Sequence, residues 1–418
     1  MHQQFRILGG QELSGSIAVQ GAKNSGLKIM AAALLSDDPC TITNLPAIED
    51  IERMKELLIS VGAKISSESD GFRIAAAGNL LSTLQPELAG KLRASAILAG
   101  PLLARTGEVF LPFPGGCNLG ERPIDIFLDA FKALGAEEEA SDNGVRITAP
   151  HGLKGANILL PRVSVTVTET AMMTAALATG TTVIKNAAME PEIPALAEYL
   201  TTHGASITGA GTSTITIHGV KKIGGGVVTL IPDRIEAGTF VMMGLLTNSE
   251  ITVTNVQPEH LENLWLQLER AGAEFTIHDN SVSTKHHRGL VAKDITTHEY
   301  PGFATDLQAP YTVLMTQAKG LSLIHETIFS GRLFYTDLLR SMGANVIMCD
   351  PHRVIINGPT KLRGRFLTSP DIRAGIALIL AGLAANGETK IDNVYQIDRG
   401  YQNIVERLQK LGANITRE

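Results

Sequence analysis

The chain has 418 residues, of which 44% are hydrophobic and 19% are charged, with a formal net charge of −6 at pH 7. This balance predicts a globular protein of two or more domains and excludes an intrinsically disordered chain. Nothing in it indicates a nucleic-acid-binding protein.

The cysteines and the apolar stretches indicate a cytoplasmic protein that does not enter a membrane. Cys40, Cys117 and Cys349 are far apart, odd in number and not spaced as metal ligands, so a disulfide framework is not expected. The first residues lack the pattern of a signal peptide. The longest strongly apolar stretch, 374–385, is too short to span a bilayer as a helix.

A Gly-Ala pair follows an amphipathic helical pattern six times along the chain. The glycines are Gly62, Gly135, Gly204, Gly272, Gly343 and Gly412, at intervals of 68 to 73 residues. Each glycine is predicted to take the left-handed position that ends a helix, and a short strand pattern follows each pair. Six units of about 70 residues therefore account for the whole chain.

A second kind of helix is predicted six times. Its members are apolar on every side and rich in Ala, Gly and Met, which indicates buried helices. They lie at 31–35, 94–99, 171–176, 239–244, 311–315 and 376–381. A turn and a strand follow each one.

Each unit thus contains a buried helix, a strand, an exposed helix and further strands, which predicts an α/β protein. Three units around one cluster of buried helices would give two similar domains. The alternative is a six-unit solenoid, although solenoid repeats are usually 20–50 residues long.

Charged and polar residues precede the buried helices. They are Lys23 with Asn24, Arg93, Arg162 with the segment 166–169, Arg234 with Glu236, Asp306 with Gln308, and Asp371 with Arg373. A helix N-terminus already attracts anions, so cations there suit a site that holds a dense anion between them. The alternative is a set of salt bridges between domains, such as Arg373 with Asp371.

The second unit carries a glycine-rich loop at 112–125 where the other units have short turns. Gly115, Gly116 and Gly120 surround Cys117, and Arg122 follows five residues later. A neighbouring cation favours the thiolate, so Cys117 is predicted to be reactive rather than inert. The sequence contains no P-loop, dinucleotide fingerprint or assignable Ser-His-Asp triad, and the pair His286-His287 does not predict a metal site.

The loop Pro114-Gly-Gly-Cys-Asn-Leu-Gly-Glu-Arg-Pro123 resembles that of the UDP-N-acetylglucosamine enolpyruvyl transferases of peptidoglycan synthesis. The resemblance extends over the chain, through Gly21-Ala-Lys-Asn24, Lys91-Leu-Arg-Ala-Ser95, Pro232-Asp-Arg-Ile-Glu236, Thr305-Asp-Leu-Gln-Ala309, Gly331-Arg332, Asp371-Ile-Arg-Ala374 and Ile397-Asp-Arg-Gly-Tyr401. It implies the two-domain enolpyruvyl transferase fold, an inside-out α/β barrel. The implied domains are 22–231 and 1–21 plus 232–418, with the active site in the cleft between them.

The resemblance also implies a role for each site residue. Cys117 would protonate the methylene carbon of phosphoenolpyruvate, and Asp306 would take the proton of the sugar 3′-hydroxyl. Lys23, Arg122 and Arg399 would hold the donor's phosphate, with Lys23 and Arg399 also counted as catalytic. Asn24 would also bind the donor. Arg332 and Arg373 would hold its carboxylate. Arg399 would be brought in by domain closure.

The acceptor UDP-N-acetylglucosamine would lie against a larger set of residues. By the resemblance these are Arg93, Arg122, Pro123, Ile124, Asp125, Ile126, Arg162, Val163, Ser164, Val165, Asp306 and Ile328, with Asp371 elsewhere in the cleft. The small-molecule substrates would be the only partners, without nucleic acid, membrane, cofactor or metal.

The sequence departs from the family pattern at two places. Thr166-Val167 replaces Gly-Ala, and Ser330-Gly331 replaces Glu-Asn, which puts acceptor affinity and closure in question but removes no chemical group. Two other functions stay open. One is enolpyruvyl transfer to shikimate 3-phosphate, although that sister enzyme lacks the Cys117 loop. The other is a non-catalytic UDP-sugar-binding paralogue.

Overall fold

The computed structural model describes residues 3–68, 71–113 and 124–418. The described residues fall into two compact units. The central unit comprises 21–68, 71–113 and 124–231, and the terminal unit comprises 3–20 and 232–418.

The helices alternate along the chain between the two predicted kinds. The α-helices are α1 Lys23–Ala32, α2 Glu49–Ser60, α3 Pro86–Ala89, α4 Ala99–Thr106, α5 Asp125–Ala133, α6 Val165–Ala175, α7 Glu192–Thr202, α8 Arg234–Leu246, α9 Glu262–Arg270, α10 Gln308–Met315, α11 Thr336–Ser341, α12 Ile372–Ala384, α13 Tyr395–Asp398 and α14 Ile404–Lys410. Short 3-10 helices cover Ala33–Leu35, Arg93–Leu98, Pro258–Leu261 and Thr305–Leu307.

The strands are short. In the first half of the chain they are β1 Phe5–Leu8, β2 Ser14–Ala18, β3 Cys40–Thr43, β4 Lys64–Glu68, β5 Gly71–Ala75, β6 Glu108–Pro112, β7 Glu137–Ser141, β8 Gly144–Thr148, β9 Asn157–Leu159, β10 Thr181–Lys185, β11 Ser206–Thr208 and β12 Thr214–His218. In the second half they are β13 Gly226–Thr229, β14 Glu250–Thr254, β15 Phe275–Ile277, β16 Ser281–Thr284, β17 Ile295–Thr296, β18 Gly320–His325, β19 Asn345–Asp350, β20 Arg353–Gly358, β21 Phe366–Thr368, β22 Glu388–Asp392 and β23 Asn414–Arg417.

The described strands form six open sheets, three in each unit, and five sheets share one order. An edge strand runs parallel to the strand that follows a buried helix, and two antiparallel strands complete the sheet. The five are β9-β10-β12-β11, β13-β3-β5-β4, β2-β14-β16-β15, β17-β18-β20-β19 and β21-β22-β1-β23. In the sixth, β6-β8-β7, a single parallel bridge between Thr83 and Phe110 stands in place of the edge strand.

The chain termini complete sheets of the terminal unit. The strand β1 pairs antiparallel with β22 on one side and β23 on the other, with Phe5 opposite Ile391 and Arg417. The strand β2 is the parallel edge beside β14, while β13 supplies the same edge beside β3 in the central unit. The sheets that contain β3 and β14 therefore take their edge strands from distant parts of the sequence.

Each unit has its own hydrophobic core, built on its buried helices. The core of the central unit surrounds α1, α4 and α6, and that of the terminal unit surrounds α8, α10 and α12. The helices α8, α10 and α12 all contact one another. In a solenoid the first and third repeats would not touch, so the solenoid alternative is wrong.

The six predicted buried helices are confirmed, and so are the six helix-ending glycines. Gly62, Gly135, Gly204, Gly272, Gly343 and Gly412 all have positive φ, between 76° and 107°. Each follows an amphipathic helix, where an αL residue satisfies the last carbonyl groups. In each unit the helices lie inside and the open sheets lie outside, and this is the arrangement that the term inside-out α/β barrel describes. The described strands do not form a closed β-barrel.

Among the described residues, no helix is long and apolar enough to cross a membrane.

Candidate active site

Asp306 and two arginines form a compact charged cluster in the terminal unit. Asp306 lies in the 3-10 turn that leads into α10, and Arg373 lies in the first turn of α12. Arg332 Nη1 donates to Asp306 Oδ1 at 2.7 Å, and Arg373 Nη2 donates to Asp306 Oδ2 at 2.8 Å. Each carboxylate oxygen is therefore bound by a different guanidinium group.

The charged groups of the cluster are paired with one another and largely shielded from solvent. The arginine side chains are 6% exposed and the Asp306 side chain is 23% exposed. Burial by itself would raise the pKa of Asp306, but the charges and hydrogen bonds of Arg373 and Arg332 outweigh it and hold that pKa well below its usual range. Burial by itself would lower the pKa of Arg373, but Asp306, together with Tyr401 and Asp233, outweighs it and raises that pKa above its usual range.

A further layer of polar groups holds the two guanidinium groups. Arg332 Nη1 also donates to Thr305 Oγ1 at 2.9 Å, and Thr305 Oγ1 donates to the buried Glu326 at 2.8 Å. The guanidinium of Arg332 lies 4.6 Å from the centroid of the Phe329 ring. Arg373 Nη1 donates to the buried Tyr401 hydroxyl at 3.4 Å. These contacts fix both arginines independently of Asp306.

Asp371 has a different role from the one that the salt-bridge alternative gave it. Its Oδ1 accepts from the backbone N–H groups of Arg373 and Ala374 at 2.8 and 3.0 Å, so Asp371 is the N-cap of α12. The guanidinium of Arg373 pairs with Asp306 instead. The alternative of an Arg373–Asp371 salt bridge is therefore wrong.

Arg399 and Ile328, also predicted site residues, lie in the same unit. Arg399 follows α13, and its Nη1 donates to Gln396 Oε1 at 3.0 Å. Ile328 is partly buried, and its N–H donates to Glu326 Oε1 at 2.8 Å. Glu326 therefore accepts hydrogen bonds both from Thr305, which contacts Arg332, and from the backbone of Ile328.

Lys23 begins α1 in the central unit and is paired with a buried carboxylate. Its Nζ lies 2.6 Å from Asp50 Oδ2, and Asp50 is 2% exposed. The chain just before the helix passes very close to another segment, since a Cβ on Gly21 would lie 1.8 Å from the Asn44 carbonyl oxygen. Only glycine fits there, and this close contact fixes the position at which α1 begins with Lys23. Asn24 follows in the same turn and is partly buried.

The remaining predicted residues of the central unit also lie at helix starts. Arg93 begins the 3-10 helix before α4, and Ser164 is the N-cap of α6, its Oγ accepting from Val167 N at 3.4 Å. Arg162 is exposed, while Val163 and Val165 are partly buried. Ile124, Asp125 and Ile126 lie at the start of α5. Thr166, the replacement for Gly, lies within the first turn of α6 and is also partly buried.

Cys117, Arg122 and Pro123 lie outside the described residues, so their predicted roles stay predictions. Of the other cysteines, Cys40 is buried and Cys349 is exposed, and both are free. The described residues contain no group of three or more His, Cys, Asp and Glu side chains placed to hold a metal ion.

A family model described as EPSP synthase (3-phosphoshikimate 1-carboxyvinyltransferase) matches residues 7–408. The chain belongs to the EPSP synthase family. Within it, the UDP-N-acetylglucosamine 1-carboxyvinyltransferase of Solibacter usitatus is 44% identical, covering 99% of this chain and 99% of its own length. The Halothermothrix orenii protein of the same name is 43% identical, again over 99% of both chains.

Solved structures of enolpyruvyl transferases share the fold. The enolpyruvyl transferase NikO from Streptomyces tendae matches with a TM-score of 0.90 and 27% identity, covering 100% of this chain and 99% of its own. EPSP synthase from Acinetobacter baumannii matches with a TM-score of 0.74 over 100% of both chains, but at 19% identity it supports the fold alone.

In this member of the EPSP synthase family, sequence reasoning missed the partners of the predicted cations. Asp50 lies on an amphipathic helix, where an acidic residue is expected to face solvent, and Glu326 gave no signal at all. Thr305 and Tyr401 were inside the quoted motifs but had no role assigned to them. These residues share burial beside a cation, a property that the sequence alone does not reveal.

Proposed function

We propose that the protein transfers the enolpyruvyl group of phosphoenolpyruvate to the 3′-hydroxyl of UDP-N-acetylglucosamine and releases phosphate. The observation that carries the proposal is the cluster of Asp306, Arg332 and Arg373, where two buried guanidinium groups are fixed around one carboxylate. Such a pair of guanidinium groups suits a planar donor carboxylate. The names of full-length relatives at 43% and 44% identity point to the same reaction.

The proposed reaction proceeds by addition and then elimination. In the addition, the sugar oxygen bonds to C2 of phosphoenolpyruvate, and the electron pair of the C2–C3 double bond takes a proton at C3. Cys117 supplies that proton, and Asp306 accepts the hydroxyl proton. In the elimination, C3 loses a proton to the Cys117 thiolate, the double bond re-forms, and the C2–O bond to phosphate breaks, so that phosphate leaves with the electron pair and takes the proton held by Asp306.

The cations serve as electrostatic stabilisers in this scheme. Lys23, Arg122 and Arg399 hold the phosphate end of the donor, and Arg332 and Arg373 hold the carboxylate. The acceptor is held by Arg93, by the predicted residues at the starts of α5 and α6, and by Asp306 and Ile328. The proposal retains the domain assignment of 22–231 and 1–21 plus 232–418, a cytoplasmic location, and a place at the first committed step of peptidoglycan synthesis.

A phosphate-release assay tests the proposal and separates it from the two alternatives. The protein is incubated with phosphoenolpyruvate and UDP-N-acetylglucosamine, with phosphoenolpyruvate and shikimate 3-phosphate, or with phosphoenolpyruvate alone. We expect release in the first mixture only. Release in the second mixture would identify the shikimate 3-phosphate enzyme, and release in none would identify the non-catalytic paralogue.

A further inference from the structure

The Asp306 cluster has the geometry of a ligand site that is already occupied. Two arginines on different elements each bind one oxygen of a single carboxylate, at 2.7 and 2.8 Å. A donor carboxylate held by the same two arginines would take the same two hydrogen bonds. The side chain of Asp306 and the donor carboxylate therefore cannot both satisfy Arg332 and Arg373 in this way.

This pairing also opposes the proposed role of Asp306 as a base. Two charge-assisted hydrogen bonds stabilise the ionised carboxylate and hold the pKa of Asp306 well below its usual range. A carboxylate in that state accepts a proton from a sugar hydroxyl poorly, because an effective base has a pKa nearer the working pH. Asp306 must lose these contacts before it can act.

We propose that Asp306 occupies the donor-carboxylate subsite of the free protein, and that the donor's carboxylate displaces it from Arg332 and Arg373. Displacement frees Asp306 to accept the acceptor's hydroxyl proton, so the base becomes competent only when the donor is bound. The inference rests on the proposed function and deepens it, since it adds a regulatory contact to the same site.

The surroundings allow Asp306 to leave while the arginines stay. Thr305 and the Phe329 ring hold Arg332, and Tyr401 holds Arg373, so each guanidinium keeps contacts that do not involve Asp306. Asp306 is the most exposed of the three charged side chains, at 23% against 6% for each arginine. Exchange therefore requires motion of one short, solvent-accessible side chain rather than of the buried cations.

The test measures binding rather than turnover, using 3-phospholactate, an unreactive donor analogue that carries both the carboxylate and the phosphate. Calorimetric titration compares the wild type with Asp306→Ala and the near-isosteric Asp306→Asn. Removing the competing carboxylate should tighten 3-phospholactate binding by about tenfold, the equivalent of one charge-assisted hydrogen bond. Inorganic phosphate, which lacks the carboxylate, should bind all three proteins equally.

A charge control separates displacement from a general loss of negative charge. Asp233→Asn removes one carboxylate charge that acts on Arg373, and the amide can still cap α8, the helix that Asp233 precedes. It should leave 3-phospholactate affinity within about threefold of the wild type, which is small beside the tenfold effect expected for a lost charged hydrogen bond.

Two results would overturn the inference. One is unchanged or weaker 3-phospholactate binding in both Asp306 variants. The other is equal tightening of 3-phospholactate and phosphate, which would indicate charge alone. Failure of the proposed function is seen separately, as wild-type protein that releases no phosphate with UDP-N-acetylglucosamine.

Discussion

Three of the cations assigned to the donor are bound to carboxylates of the protein itself. Lys23 pairs with Asp50, and Arg332 and Arg373 share Asp306. A buried charge without a partner is expensive, so a cation placed for a ligand needs an internal counter-charge while the ligand is absent. These carboxylates keep the cations charged and oriented, and the incoming anion must then compete with them.

The partner of Arg373 illustrates what the sequence could and could not predict at this scale. The resemblance predicted Arg332, Arg373 and Asp306 as site residues, and the fold places them together. It did not predict that Arg373 pairs with a carboxylate 67 positions away rather than with Asp371, two positions away. The helix start decides this, because the Asp371 carboxylate is already used by the N–H groups of the first turn of α12.

The exposed Cys349 provides a matched control for a test of Cys117. Cys117→Ala should remove most phosphate release, since the proposed reaction loses its proton donor, a group that typically contributes about 10²–10⁴-fold. Cys349→Ala is the control, because Cys349 is exposed and belongs to none of the site motifs. Fosfomycin, an epoxide that would alkylate a reactive Cys117 thiolate, should inactivate the wild type and Cys349→Ala. Full activity of Cys117→Ala would remove Cys117 from the mechanism.

Arg399 should act on the donor and not on the acceptor. Arg399→Ala is expected to weaken phosphoenolpyruvate binding by about ten- to a hundredfold, the range for a lost charge-assisted hydrogen bond, and to leave UDP-N-acetylglucosamine binding unchanged. Arg340→Ala is the control, since Arg340 is exposed, pairs locally with Asp337 and belongs to none of the site motifs. Titration with each substrate measures both affinities. An equal loss of both would indicate a structural role for Arg399.

At the scale of elements, the buried helices of the central unit carry an ionisable group in their interior. Glu169 of α6 is fully buried, and its nearest cation is Lys28 of α1, with Nζ 3.3 Å from Oε2. Burial, helped by the charges of Glu192 and Glu190 and opposed by Lys28, raises the pKa of Glu169 to about 8. The carboxyl group therefore holds its proton at neutral pH.

This raised pKa predicts a pH dependence of stability. The folded protein binds the Glu169 proton up to about pH 8, whereas the unfolded chain releases it near the ordinary value of about 4.5, so stability falls as pH rises between these values. Glu169→Gln copies the protonated form and should lack this fall. The difference in free energy of unfolding between the wild type and the variant should therefore fall with rising pH, by roughly 1.4 kcal/mol per pH unit and a few kcal/mol in total between the two pKa values.

Urea unfolding at pH 5.5, 7 and 8.5 measures the difference. Glu139→Gln is the control, because Glu139 is exposed on β7 and the same amide substitution there removes no buried carboxyl group. A difference between wild type and Glu169→Gln that stays constant from pH 5.5 to 8.5 would contradict a protonated Glu169 and favour a permanent ion pair with Lys28.

The elements themselves were predicted well because their signals are local. An apolar helix followed by a turn, and a Gly-Ala pair after an amphipathic helix, depend on neighbouring residues and recur six times. The edge strands β2 and β13 were not predicted, since Ser14–Ala18 is mostly polar and exposed and Gly226–Thr229 is only four residues long. Their place is decided by pairing with strands about 185 to 235 positions away, which no local pattern encodes.

At the scale of the whole molecule, the two units repeat one plan with separate cores. The core residues of the central unit all lie from Leu27 to Leu230, and those of the terminal unit lie from Phe5 to Val19 or from Ile235 onwards. No core residue is shared between these clusters. Residues that share one continuous core tend to unfold together, so each unit should unfold in its own cooperative transition.

Two natural probes report on the units separately. Trp265, the single tryptophan, is buried in the terminal unit, where its Nε1 donates to the Pro258 carbonyl at 2.8 Å. Cys40 is fully buried in the central unit. In a Cys117→Ala, Cys349→Ala background, pulsed thiol labelling reports exposure of Cys40, and fluorescence reports exposure of Trp265. Urea then yields one midpoint for each unit from the same sample.

Matched cavity substitutions should move these midpoints one at a time. Leu196→Ala empties part of the central core and Leu314→Ala part of the terminal core, and each leucine is at most 1% exposed. Each change should cost its own unit about 2–5 kcal/mol. Leu196→Ala should lower the Cys40 midpoint and leave the Trp265 midpoint in place, and Leu314→Ala should do the reverse. If either substitution lowered both midpoints equally, the two cores would unfold as one cooperative unit despite sharing no residue.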